Sequence, residues 1–93
     1  MTTSDARDTA QLKLEALIAL IGSPGGIATP DLLQECEALK RAIAAFHLEA
    51  IRFRMFNVDR ALTRAGASEP ARQLFEEVRV ALEAAGFHTR SHG

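Results

Sequence analysis

Apolar residues recur along most of this chain at the three- and four-residue intervals of a helix. The three- and four-residue spacing outweighs the short period-two alternation of residues 9–16. The pattern predicts an all-α fold of three helices, at about residues 5–21, 30–65 and 69–85. In the first, Ala10, Leu14, Leu17, Ile18 and Ile21 share one face. Ser4 is placed to cap it, and Asp5 and Asp8 sit where the positive end of the helix dipole favours acids. Leu12, Ala16 and Leu20 lie off that face, which implies contact with more than one neighbour. The run Gly22-Ser23-Pro24-Gly25-Gly26 ends the helix, and Ile27 is expected to fold inward as an anchor.

The second helix has a well-marked start. Thr29 suits the N-cap, Pro30 the first helical position, and Asp31 the positive dipole end. From Asp31 to Ala65 there are 35 residues with neither Gly nor Pro, enough for a helix of about 53 Å. Gly66 suits its C-terminal end. Ser68 or Glu69 with Pro70 opens the third helix. Gly86 is expected to end it in a left-handed conformation, with Phe87 folding back onto Leu82. The whole chain reads as a single helical domain, 1–93, with frayed ends at about 1–4 and 88–93.

The second helix carries two apolar stripes. Leu32, Cys36, Leu39, Ile43, Phe46, Ala50 and Phe53 form a heptad seam. Leu48, Ile51, Met55, Val58 and Leu62 form a second series, roughly 130° away around the axis at 100° per residue. A helix apolar on two faces must be covered on both. A 93-residue globule has a radius of gyration near 12 Å and a diameter of about 30 Å, too small for a straight 53 Å helix. The expected solution is a dimeric helical bundle, in which one stripe serves the protomer and the other a second copy. Leu39, Ile43, Phe46, Ala50, Phe53, Ile51 and Met55 are the interface candidates. The competing reading is an ordinary three-helix bundle with a break near Ala44-Ala45.

Composition supports helix. Ala and Leu number 17 and 11, against 8 Val and Ile together, and Tyr and Trp are missing. Charge is balanced at -1, which argues against a dedicated nucleic-acid or membrane-surface binder. The balance hides a split. Up to residue 50 there are four basic and seven acidic side chains; after it, seven and five, and all seven are Arg. Such a split suits antiparallel self-association, or a docking patch for an acidic protein partner. Phe56 points away from both stripes beside Arg52 and Arg60, and these three are the partner-docking candidates. One Cys excludes an internal disulfide and a Cys-based zinc site. No apolar run nears 18 residues and no signal-peptide layout is visible, so a soluble cytoplasmic protein without a membrane role is the expectation.

Candidate chemistry is sparse. His47 lies between the two stripes, with Arg54 one heptad on, and is the weak candidate for a polar handle on a haem-like or hydrophobic ligand. It lacks the Glu, His or Cys spacing of a metal site. His88 and His92 have i, i+4 spacing but sit in the tail. Cys36 reads as a small core residue, with Lys40 one turn away. The Ser23–Gly26 loop lacks the Gly-Lys-Ser/Thr ending of a phosphate loop. The Leu62–Arg79 region loosely resembles a repressor helix-turn-helix, but Arg72 falls where an apolar packing residue is needed. No nucleophile, base and orienting group come together, and no resident cofactor or metal is implied. The chain reads as a non-enzymatic interaction protein, an adaptor or regulatory homodimer.

Overall fold

The 35 residues from Asp31 to Ala65 fold as two helices. The computed structural model describes residues 3–23, 26 and 29–87. Within them lie four helices and no strand: α1 (Thr3–Ile21), α2 (Pro30–Ala44), α3 (Leu48–Ala65) and α4 (Glu69–Ala84). The all-α expectation holds, while the expected three helices become four. The break lies at Ala45–His47, beside the position of the competing reading.

Neither Gly nor Pro makes this break. The Phe46 N–H donates to the Ile43 carbonyl at 3.1 Å and the His47 N–H to the Ala42 carbonyl at 3.2 Å. This is a Schellman ending, which needs one residue in the left-handed region. Phe46 adopts it, with φ 57°, at a cost of about 1–2 kcal/mol for a residue with a Cβ. The same bond pattern ends α3 at Gly66, φ 69°, and α4 at Gly86, φ 95°, where glycine avoids that cost. Phe87 does fold back as expected, its N–H donating to the Leu82 carbonyl at 2.9 Å.

The radius of gyration is 12.3 Å and the longest dimension 37 Å. A continuous second helix would project beyond this envelope. Folding it back buries most of both stripes, although Leu48 of the second stays exposed. Leu32, Cys36, Leu39 and Ile43 are the core face of α2; Ile51, Met55, Val58 and Leu62 are the core face of α3. Leu39, Ile43, Ile51 and Met55 are therefore buried inside the core of the single chain. Ala50 is half-buried, and Phe46 and Phe53 are exposed. The turn resets the helical phase, so extending the first stripe across it leads to the outside of α3.

Local signals explain the remaining ends. Thr29 Oγ1 accepts the Leu32 N–H at 3.1 Å, and Pro30 takes the first turn. Ser68 precedes α4 in an extended conformation, but its side chain makes no capping bond. α1 begins at Thr3, so Ser4 lies within the helix and not at its N-cap position. The expected Ile27 anchor and the 88–93 tail lie outside the described residues.

α1 packs mainly on α4 and α2 on α3, with a smaller contact between α1 and α2. The Phe46 ring lies 5.9 Å from the Phe87 ring, and the Arg7 guanidinium sits 3.9 Å above Phe46. The start of α1, the α2–α3 turn and the end of α4 thus share one end of the bundle, and successive helices alternate in direction. Ion pairs step around it: Glu15–Lys40 at 3.2 Å, Glu35–Arg54 at 3.2 Å, Asp59–Arg72 at 3.7 Å and Lys13–Glu77 at 2.9 Å. Glu35–Arg54 joins the acidic half of the sequence to the Arg-rich half within one chain. Among the described residues the core contains no buried charged or polar side chain.

Candidate interaction surface

With Ile51, Met55, Val58 and Leu62 turned inward, helical periodicity sends Glu49, Phe53, Phe56 and Arg60 outward on α3. Arg52 and Arg64 flank them and are also exposed. Phe53 and Phe56 are each 56% exposed, although no packing need of the bundle places a phenyl ring in water there. The Arg54 guanidinium lies 5.2 Å from the Phe53 ring centre, and that of Arg60 5.6 Å from Phe56. Arg54 is held by Glu35. Arg52, Arg60 and Arg64 form no ion pair among the described residues. The three docking candidates Arg52, Phe56 and Arg60 therefore do share one exposed surface. Phe53 joins them, which the heptad extension had concealed.

The surface borders an open cleft of about 310 Å³ between α3 and the start of α2, lined by Asp31, Glu35, Asn57, Arg60 and Arg64. A second cleft, of about 210 Å³, continues past Arg64 to Thr29, Asp31, Ala61 and Ala65. The region is thus acidic along the α2 edge and cationic along the crest of α3. Leu12 on α1 and Val80 on α4 are also exposed, each on the outward side of its helix.

The other candidates take structural places. His47 is exposed in the α2–α3 turn, and its Nδ1 accepts the Ala50 N–H at 3.2 Å as the N-cap of α3. The strip between two stripes, where it was expected, does not exist once the helix breaks. Cys36 is fully buried. Burial pushes its thiol up to about 12, with Glu37 and Glu35 adding to the rise. The nucleophilic thiolate is thereby suppressed.

In the Leu62–Arg79 region, Arg72 Nη2 donates to Thr63 Oγ1 at 2.7 Å, and Nη1 lies 3.7 Å from Asp59 Oδ1. That side chain ties α4 to α3. Hydrogen bonds from Lys13 and Gln73 hold the Glu77 carboxyl below its usual range. Among the described residues no three His, Cys, Asp or Glu side chains cluster as metal ligands, and no helix is long and apolar enough to cross a membrane. His88 and His92 lie outside the described residues. Compared with protein-family models, with curated proteins and with solved structures, the chain finds no match.

Proposed function

We propose that this chain is a non-enzymatic helical interaction protein whose docking surface is the outer face of α3. One observation carries the reading: two phenyl rings, each 56% exposed, stand among three arginines that have no ion-pair partner among the described residues. Aromatic and Arg side chains dominate the energetics of protein interfaces. Here they share a helix face that the core does not use. Arg52, Arg60 and Arg64 select a partner with carboxylates, while Phe53 and Phe56 offer it apolar area. The occupant is an acidic segment with an apolar stripe, such as an amphipathic helix laid along α3. A cytoplasmic location fits a chain whose single cysteine is a buried thiol.

The test is an NMR titration with two designed amphipathic peptides, identical in their Leu positions, one Glu-rich and one Lys-rich. The Glu-rich peptide is expected to perturb amides from Glu49 to Arg64 and to bind more weakly as salt rises. Replacing Phe53 and Phe56 by Ser should abolish the effect. Equal binding of the Lys-rich peptide, or perturbations that avoid α3, would overturn the proposal.

A further inference from the structure

We propose that the Ala45–His47 turn is a hinge through which two copies of this chain exchange halves, forming a dimer in which residues 30–65 become one continuous helix. The topology makes such an exchange self-consistent. Cutting the chain at the turn leaves α1 with α2, and α3 with α4. The two principal packing contacts, α1 on α4 and α2 on α3, both run between these halves. The ion pairs Lys13–Glu77 and Glu35–Arg54 cross the same division. Glu15–Lys40 and Asp59–Arg72 stay within one half. Opening the turn therefore uncovers the core of each half, and the complementary half of a second copy restores it with the same residues. The two forms differ in contacts only at the hinge.

The hinge is chemically ready for both states. From Asp31 to Ala65 no Gly or Pro resists continuous helix, and Ala44 and Ala45 are the strongest helix formers. Phe46 occupies the left-handed region only in the closed turn, with φ 57°, and returns to ordinary helical geometry in the open form. The closed form keeps the His47 cap on Ala50 and the contacts of Phe46 with Arg7 and Phe87. Short, strained connections of this kind invite exchange. The outer face of α3 is unchanged in either form, so the inference stands apart from the docking proposal.

The experiment refolds the protein from denaturant at millimolar and at low-micromolar concentration and separates the products by size exclusion with light scattering. Dimer is expected from the concentrated sample and monomer from the dilute one. Spin labels at Glu35→Cys and Arg54→Cys, in a Cys36→Ala background, then read the geometry within one chain when labelled protein is diluted into unlabelled. The two positions touch in the closed form, where their side chains pair at 3.2 Å. Along a continuous helix they stand 19 residues apart, about 29 Å. A dimer showing the long distance supports the exchange; one that keeps the short distance overturns it, as does failure to dimerise at any concentration. Phe46→Gly, which needs no label, relieves the turn and weakens the open helix, and should raise the dimer dissociation constant about tenfold or more. A tighter dimer from that variant would overturn the proposal.

Discussion

His47 Nδ1 accepts the Ala50 N–H at 3.2 Å, so α3 is capped by a side chain only three residues beyond the end of α2. Removing the acceptor leaves an N-terminal amide of α3 without its partner. His47→Ala should lower unfolding free energy by about 1 kcal/mol, and His47→Asn should restore most of it, because Asn is among the best N-caps. Urea denaturation of the three proteins checks this.

Ile51 is fully buried between α3 and the rest of the core. Ile51→Ala should cost about 2–5 kcal/mol through lost burial and the cavity it leaves. Ile51→Asp buries a carboxylate with no partner and should abolish the folded circular-dichroism signature rather than dissociate an otherwise folded assembly. A folded Ile51→Asp monomer would contradict the burial.

Phe53 and Phe56 should behave in the opposite way. Both are exposed on α3, so the Phe53→Ser/Phe56→Ser double variant should unfold within about 1 kcal/mol of the parent. Thermal and urea unfolding measure this, and peptide binding should be lost in the same protein. A collapse of stability would make the two rings part of the core.

Cys36 couples stability to alkaline pH. The folded thiol ionises only near 12, whereas an ordinary thiol ionises near 9. Between these values the unfolded chain holds fewer protons, so folding stability falls as pH rises, by up to about 1.4 kcal/mol per pH unit from this group. The wild type should lose stability between pH 8 and pH 10 more steeply than Cys36→Ala, measured by denaturant titration at both pH values. Below about pH 8 the pH dependence of the two should be the same. Under native conditions Cys36 should react with a thiol reagent only through opening of the core.

Glu35 and Arg54 link α2 to α3, but both remain partly solvated. A double-mutant cycle with Glu35→Ala and Arg54→Ala should give a coupling of about 0.5 kcal/mol that shrinks with added salt.

Much of the architecture is legible along the chain because the signals are local. Thr29-Pro30 opens α2, Gly66 closes α3, and Gly86 closes α4 through the expected chemistry. The α2–α3 break is not announced by residue type, since Phe46 does what Gly does at the other two ends. It is announced by phase. Leu32, Cys36, Leu39 and Ile43 define one direction, and Ile51, Met55, Val58 and Leu62 another. A jump of that size within a few residues is more economically produced by a turn than by a helix with two buried faces. Phe46, Ala50 and Phe53 misled because a heptad can be extended arithmetically through a turn that resets it. Arg52, Phe56 and Arg60 were readable as an exposed group because Phe56 and Arg60 lie on the far side of α3 from its own core stripe and Arg52 flanks them.

The pairing of α1 with α4 also sets an order of events on the ribosome. Lys13 and Glu77, which meet at 2.9 Å, belong to the first and last helices among the described residues. α2 and α3 are neighbours and can close on each other as soon as both have emerged. α1 finds only its smaller contact, with α2, at that stage, and its main cover waits for α4. Of the four helices described, α1 therefore waits longest during synthesis for its main packing partner.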